Sequence, residues 1–520
     1  MTSATFLSNG RMKKNAIHIL IVITVIINFC AVPFAAAKED TLKTIGYNAA
    51  YKTSAGNKVL AKVGDKNITV REFLTSYEYG PAFTKREKDS KSRYLNYMIN
   101  EKLLALYGYS EKVDTSNQVN SVLSAITGDI ASDEMFMNEI FNKIVVPKKE
   151  LDSALVQKGI NYNIRWLYAR NEKMLSAYQQ QLKSGVTFDS LFSLQLLNDS
   201  VHADQRSMKV DMFKLQNENP FLAKVVDTLK VNEISAPIKA PDGYYIIKVD
   251  DIWKKLILTE TERNKELHDA GLVIKRNKSD GISDSYVQKL MLAHNPVIQG
   301  KAFDILRSYM GGFVLPKEKY NEWKLGERLS KELDSLKGEN YGGMKLVSLT
   351  KGAISIDDFI YWYKLRDAYL KFDENDFNGF SASLEKMIWR MVRDHLLVAS
   401  AYAKGYQNKP IVKQQSQWWK DKIVYAVVRD QLANSVGLNI ESPSSIKMAD
   451  KDQELTSKIL HKIIELKRKY KIQINENILK EIRVQDSDDP RAVDYYMVKK
   501  GGTYPHPAFP SIDFSWQSWE

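Results

Sequence analysis

The residue types that most often carry chemistry are few and scattered in this sequence. Its seven histidines show neither H-E-x-x-H nor another paired spacing that would hold zinc. A nucleophile elbow, a phosphate-binding loop and a dinucleotide glycine fingerprint are also missing from the sequence. The single cysteine, Cys30, lies in an N-terminal apolar run, so a chain that has lost this run can form neither a disulfide nor a catalytic thiolate. The sequence therefore predicts no metal and no cofactor.

The most informative stretch runs from Leu229 to Asp250 and predicts a β-hairpin. An apolar run from Ile234 to Lys239 leads into the turn residues Pro241-Asp242-Gly243, and a second run extends from Tyr244 to Val249. Two β-rich runs separated by a Pro/Gly turn are typical of a hairpin.

The pattern over residues 160–253 predicts a small antiparallel sheet covered by helices. Alternating residues predict a first strand from Asn161 to Tyr168, and a central strand is predicted from Met208 to Phe213. The helical patterns are Lys173–Lys183, Phe188–Leu197 and Pro220–Thr228. An order of one strand, two helices, one strand, one helix and a hairpin suits a domain whose helices cover a sheet.

The hairpin resembles the last two strands of a parvulin-type peptidyl-prolyl isomerase domain. The element order of residues 160–253 is also the parvulin order, and the layout of the chain resembles secreted foldases and periplasmic chaperones that join parvulin domains to helical lobes. The resemblance implies an α+β fold of mostly helical, chaperone-like lobes with an inserted parvulin-like domain. The hairpin residues that match the family pattern are Leu229, Lys230, Glu233, Ile234, Ser235, Pro237, Gly243, Tyr244, Ile246, Ile247, Lys248 and Val249.

The resemblance also implies where a prolyl isomerase site would lie, and the residues at those positions differ from the family pattern. The family's two facing histidines fall on Trp166 and Tyr245, and its pocket methionine and phenylalanine fall on Glu218 and Leu222. The acid of the site could persist only near Asp199. These residues are the candidate catalytic or peptide-binding positions.

Proline isomerisation needs no covalent step, but an enzyme must lower a barrier of about 18–20 kcal/mol that arises from the partial double bond of the amide. It does so by holding the proline ring in an apolar pocket while polar groups act on the carbonyl and the nitrogen. A carboxylate in that pocket is costly to desolvate, so we expect little isomerase activity. Trp166 and Tyr245 could instead form an aromatic shelf for extended peptide, or they could pack over the sheet.

The N-terminal residues predict export from the cytoplasm. Arg11, Lys13 and Lys14 precede an apolar run from Ala16 to Phe34, and Ala35-Ala36-Ala37 offers a small-residue cleavage site. These features are typical of a secretory signal peptide, although the run is also long enough for an uncleaved membrane anchor. We therefore expect the protein in the periplasm or the cell envelope, in contact with a membrane only through this segment.

An internal repeat predicts two helical lobes. Thr69 with Glu72 and Ser355 with Asp358 form two capping-box patterns, each of which begins a helix. Amphipathic helices and a Gly-Tyr pair follow in both copies. Several matches in the same order favour a duplication over chance similarity of helices.

A closing pattern of helix end, short strand and helix start also occurs twice, at Leu290–Leu306 and at Leu466–Ile482. We expect the first copy to close the first lobe and the second copy to close the second lobe. The predicted segments are a signal peptide (1–37), a linker (38–57), the front of the first lobe (58–159), the parvulin-like domain (160–253), the closing helices of the first lobe with a linker (254–340), the second lobe (341–490) and an extended C-terminal tail (491–520).

The composition and the resemblance together predict a polypeptide-binding protein. A formal net charge of +12 on a chain with 63 acids does not favour a nucleic-acid groove. We expect an ATP-independent envelope chaperone that binds unfolded or extended polypeptides, such as outer-membrane or secreted proteins, without efficient isomerase activity. An active isomerase that uses Asp199 and tyrosines, and a dedicated interaction subunit of an envelope assembly, remain the alternatives.

The C-terminal residues predict an extended tail. Alternate prolines over Tyr504–Pro510 favour polyproline geometry, and Phe514–Trp519 alternates aromatic and polar residues as an edge strand would. Such a tail could dock on the body of its own chain or add to the sheet of a partner.

Overall fold

The computed structural model describes residues 45, 53–85, 89–240, 242–256, 259–334, 340–367, 370–438, 448–484 and 509–519. The predicted signal peptide and most of the predicted linker lie outside these residues. The predicted α+β fold class is confirmed, because helices predominate over three small antiparallel sheets. Across the described ranges, no helix has both the length and the apolar character needed to cross a bilayer.

The described chain contains strands that are mostly short and helices that are mostly longer. The strands are β1 Val59–Val63, β2 Lys66–Thr69, β3 Ile160–Ala169, β4 Ser207–Asp211, β5 Ile238–Ala240, β6 Gly243–Lys254, β7 Val297–Ile298, β8 Lys345–Ser348, β9 Ala353–Ser355 and β10 Ile472–Ile474. The helices are α1 Val70–Glu78, α2 Ser90–Ser110, α3 Asn117–Glu139, α4 Lys148–Gly159, α5 Glu172–Lys183, α6 Phe188–Asp199, α7 Met212–Glu218, α8 Pro220–Thr228, α9 Glu260–His294, α10 Gly300–Val314, α11 Lys317–Glu322, α12 Leu325–Asp334, α13 Ile356–Lys364, α14 Phe377–Ala403, α15 Pro410–Ser435, α16 Met448–Lys469 and α17 Glu476–Glu481.

The described residues form two compact units. Residues 144–278 form one, called the sheet unit, and the described residues before 144 and after 278 form the other, called the helical unit. The prediction that 144–159 belong to the first lobe is wrong. Ala154 on α4 packs with Phe213 on α7 and Ala270 on α9, so this helix belongs to the core of the sheet unit.

The sheet unit is built on a four-stranded antiparallel sheet in the order β4-β3-β6-β5. The two central strands pair from Ile160 opposite Lys254 to Ala169 opposite Tyr244. Apolar residues of α7 and α8 cover one face, and those of α5 and α6 cover the other. The predicted helices and the hairpin are therefore present in this unit.

The prediction of a central strand over Met208–Phe213 is wrong in two respects. β4 lies at the edge of the sheet, because it pairs only with β3. The strand also ends at Asp211, whose side chain accepts a hydrogen bond from the backbone N–H of Lys214 over 2.8 Å. This N-cap turns the chain into α7 at Met212.

Two of the apolar cores in the helical unit each lie next to a three-stranded sheet. One core joins residues 45–119 to residues 424–519, and the other gathers residues 302–396. The sheets have the strand orders β10-β1-β2 and β7-β8-β9.

The predicted pairing of the closing segments with the lobes is wrong, because the two segments are exchanged. β10, from the second closing segment, pairs with β1 at the front of the first lobe, where Lys62 lies opposite Gln473. β7, from the first closing segment, pairs with β8, where Val297 lies opposite Ser348. The second lobe is therefore nested between the two parts of the first.

The long helices of the two repeats also cross. α15 packs against α2 and α3, and α3 packs against α14. Two glycines allow these close crossings, since a Cβ on Gly108 would lie 2.4 Å from Val424 and a Cβ on Gly128 would lie 2.9 Å from Val398. The two repeats are thus interlocked rather than side by side.

The two predicted capping boxes differ in the structure. At α13 the box is complete, because Ser355 accepts from the N–H of Asp358 and Asp358 accepts from the N–H of Ser355. At α1, Thr69 accepts from the N–H of Glu72 over 3.1 Å. The carboxylate of Glu72 also accepts a hydrogen bond from Lys102 inside the core.

The C-terminal residues dock on the body of their own chain. Phe514–Gln517 forms a short 3-10 helix, so the prediction of an edge strand is wrong. Trp516 and Trp519 are buried in the core shared by residues 45–119 and 424–519. Residues 504–508 of the predicted tail lie outside the described part of the chain.

Candidate peptide-binding site

Trp166 lies on β3 in the apolar core of the sheet unit. It pairs in register with Ile247 on β6, and only 7% of its surface is exposed. Side chains alternate between the faces of a strand, so Trp166 shares its face with Ile164 and Tyr168. A side chain covered to this extent has little open surface to offer as a shelf for a peptide.

Tyr245 lies at the end of the sheet beside the hairpin turn. It pairs with Tyr168 on β3, and the two ring centroids are 5.3 Å apart. The Tyr245 hydroxyl donates a hydrogen bond to the carboxylate of Asp242 over 2.5 Å, and the Tyr168 hydroxyl donates to the carbonyl of Asp242 over 2.5 Å. Burial and the bond to Asp242 together raise the pKa of Tyr245 well above its usual range. Both hydroxyls are therefore protonated and already engaged.

Asp199 reaches this group of tyrosines through Arg206. A guanidinium nitrogen of Arg206 lies 3.4 Å from a carboxylate oxygen of Asp199, and its central carbon lies 5.0 Å from the ring centroid of Tyr168. The Arg206 side chain is only 12% exposed, and its Nε has no hydrogen-bond partner among the described residues. The Asp199 carboxylate is therefore already engaged by an ion pair with Arg206.

Glu218 and Leu222 lie on opposite sides of the break between α7 and α8. Leu222 packs against the same apolar cluster as Trp166 and Tyr245. Burial raises the pKa of Glu218, and the charged groups that act on it are Lys214 and Asp211. The structure therefore brings Trp166, Tyr245 and Leu222 together. Glu218 instead interacts with Lys214 on α7 and with Asp211 at the end of β4.

Three residues of this site were missed by the sequence analysis: Tyr168, Arg206 and Asp242. Tyr168 could have been found from strand pairing, since it lies opposite Tyr245 once β3 and β6 are aligned. Arg206 and Asp242 carry no such signal, because their positions depend on how two loops fold. The group consists of two tyrosine rings, one guanidinium and the turn residue Asp242, and both tyrosine hydroxyls are engaged. In the described residues, no group of three or more histidine, cysteine or acidic side chains could hold a metal ion.

Comparisons with known proteins give only partial similarity. No protein-family model and no curated protein matches the chain. A solved peptidylprolyl isomerase (PrsA) from Bacillus cereus is 13% identical over 44% of this chain and 92% of its own, with a TM-score of 0.20. The foldase protein PrsA from Streptococcus pneumoniae is 15% identical over 42% of this chain and 86% of its own, with a TM-score of 0.20. PrsA from Bacillus subtilis is 15% identical over 55% of this chain and 94% of its own, with a TM-score of 0.15. TM-scores this low carry no argument about what this chain does.

Proposed function

We propose that this chain is an ATP-independent folding factor of the cell envelope that binds unfolded or extended polypeptides and has little prolyl isomerase activity. The observation that carries the proposal is the state of the two positions where the resemblance places histidines. Trp166 is packed into the sheet core, and the hydroxyl of Tyr245 is bound to Asp242. A prolyl isomerase needs polar groups free to act on the amide of its substrate, and these positions supply none.

Exposed apolar side chains of the sheet unit support the binding of polypeptide. Leu194 and Leu197 lie one turn apart on α6, and Phe221 lies on α8; all three are exposed. Apolar groups open to solvent on a folded chain are suited to contacts with non-native segments. Such contacts bury modest area and order the bound segment, so we expect dissociation constants nearer micromolar than nanomolar.

The test is suppression of aggregation of an unrelated unfolded protein without ATP, run beside a proline-isomerisation assay on a short peptide. We expect aggregation to fall at near-stoichiometric ratios while the isomerisation rate stays at background. An isomerisation rate above background that is lost in Asp199→Asn would favour the active isomerase instead. A single stoichiometric partner recovered from the host envelope, with no effect on aggregation, would favour a dedicated interaction subunit.

A further inference from the structure

The C-terminal residues 509–519, called the tail segment, pack along a groove formed by earlier residues of the helical unit. Four apolar side chains point inward, and Phe514 between them is 66% exposed. The inward side chains are Phe509, Ile512, Trp516 and Trp519. The residues that receive the segment are called the tail groove: Tyr79 after α1, Tyr94, Tyr97 and Glu101 on α2, and Tyr425 and Arg429 on α15.

Aromatic contacts anchor both ends of the tail segment. The ring of Phe509 lies 5.5 Å from that of Tyr79, and Trp516 stacks on Tyr97 at 5.3 Å between centroids. Trp519 meets Trp516 edge to face at 5.2 Å. Large aromatic anchors in covered pockets carry most of the binding energy in typical interfaces.

Polar groups of the groove recognise one acid and one indole of the tail segment. The backbone N–H of Asp513 and the indole N–H of Trp516 both donate to Glu101, over 2.7 and 2.9 Å. The carboxylate of Asp513 accepts from the hydroxyl of Tyr425 over 3.1 Å and from Arg429. The groove therefore reads an aspartate followed three residues later by a tryptophan.

The charged groups of the groove also have partners outside the tail segment. Glu101 accepts two hydrogen bonds from Lys422, each over 2.8 Å. Arg429 donates to Asp430 over 2.7 Å. A groove whose charges are paired within the body can persist when the segment leaves, because no buried charge is left alone.

A cavity of about 40 Å³ lies between the segment and the body, lined by Glu72, Lys102, Asp421 and residues 510–512 of the segment. The hydroxyl of Thr75, which also lines the cavity, is buried without a partner in the described residues. The tail segment therefore does not fill all of the space beside this cluster of charged side chains.

We propose that the tail groove is a recognition site for extended polypeptides that carry an aspartate followed three residues later by a large aromatic residue, and that the tail segment is a tethered competitor for it. The inference rests on the proposed function, since it takes the ligand to be a segment of a non-native chain. A tethered ligand has an effective concentration of about 1 mM, and a short peptide of this kind has an intrinsic Kd of about 1 µM. The tail segment would then weaken the apparent affinity for a free peptide about a thousandfold.

The experiment titrates a fluorescent peptide with the sequence of residues 508–520 against the full chain and against a chain that ends at residue 508. We expect the shortened chain to bind with a Kd of about 1 µM and the full chain to bind at least about a hundredfold more weakly. A peptide with Trp516→Ala should lose at least about tenfold in affinity, whereas the matched control Phe514→Ala should stay within about threefold. Tyr97→Ala in the shortened chain should also weaken binding.

Circular dichroism shows whether the shortened chain is folded. If it is not, the full chain is tested with Trp516→Ala and with Phe514→Ala. Peptide binding by the Trp516→Ala chain but not by the Phe514→Ala chain supports the proposal. A folded shortened chain that does not bind the peptide, or that binds the wild-type and Trp516→Ala peptides equally, overturns it. A concentration-dependent dimer that is lost on shortening also overturns it, because the tail segment would then serve a second copy.

The outcomes separate this inference from the proposed function. Suppression of aggregation by the full chain, without peptide binding by the shortened chain, rejects the tail groove and leaves the folding factor. Peptide binding without any suppression of aggregation supports the groove and rejects the folding factor. When both hold, the shortened chain should suppress aggregation at lower concentration than the full chain.

Discussion

Replacing Lys102 with methionine is expected to destabilise the helical unit strongly, because two buried carboxylates share this cation. Lys102 on α2 donates to Glu72 on α1 and to Asp421 on α15, each over 2.8 Å, and none of the three side chains is more than 8% exposed. Burial raises the pKa of Glu72, and the positive charge of Lys102 offsets only part of this rise. Burial also acts on Asp421, but Lys102 and the Tyr109 hydroxyl outweigh it and lower the pKa of that carboxylate.

Removing one member of a buried ion pair costs about 3–5 kcal/mol, because the remaining charge has no compensation. We expect Lys102→Met to lower the free energy of unfolding by about this amount in urea denaturation followed by circular dichroism. Lys102 and Asp421 are 319 positions apart in the chain. A double-mutant cycle with Asp421→Asn therefore measures coupling between the front of the first repeat and a helix of the second, and we expect at least about 1 kcal/mol.

A surface lysine provides the control for this prediction. Lys58 pairs with Glu481 on α17 over 3.6 Å, and its side chain is 48% exposed. Lys58→Met should change the free energy of unfolding by less than about 1 kcal/mol, since exposed ion pairs contribute little. If Lys102→Met cost no more than this control, or if the cycle gave no coupling, the buried three-residue cluster could not be holding the interlocked repeats together.

Three further predictions concern the exchanged closing segments and the sheet unit. In a chain freed of its native cysteine, Lys62→Cys with Gln473→Cys should form a disulfide under mild oxidation, detectable by mass spectrometry. Lys62→Cys with Val297→Cys should form none. The reverse result would restore the pairing of β1 with the first closing segment. Trp166→Ala should lower the free energy of unfolding by about 3–5 kcal/mol as a core residue does, whereas a shelf residue would lose peptide binding with little loss of stability. Glu218→Gln should raise the melting temperature at pH 7 but not at pH 4. Burial raises the pKa of Glu218, so the cost of its buried charge is absent below the ordinary pKa of about 4.3 and complete above the raised pKa. Equal shifts of the melting temperature at both pH values would contradict this.

Much of the fold could be predicted because its signals are local. The hairpin around Gly243 follows from turn residues between two β-rich runs, and the complete capping box of Ser355 and Asp358 follows from a spacing of three residues. The covering helices follow from the period of their apolar residues. Each of these signals acts over one turn or one strand, so it needs no knowledge of the rest of the chain.

The candidate site was predictable only in part. The position of Tyr245 follows from the hairpin, but its contacts do not. Its hydroxyl bonds to Asp242 in the turn, and strand register places Tyr168 opposite it. Glu72 shows the same limit, since its spacing from Thr69 predicts a cap while a lysine 30 residues away takes its carboxylate. Where a side chain has two possible partners, the burial of each partner decides which one it binds. Burial is a property of the whole fold.

The sequence by itself predicted two related helical lobes, a sheet domain inserted in the first of them, and an aromatic C-terminus. Only the tertiary structure decided which closing segment completes which lobe, and where that aromatic C-terminus is buried. The physical reason is that both closing segments carry the same pattern of helix, strand and helix, so either can pair with either front sheet. The long helices cross closely at Gly108 and Gly128, and such packing between distant segments leaves no periodic trace in the sequence.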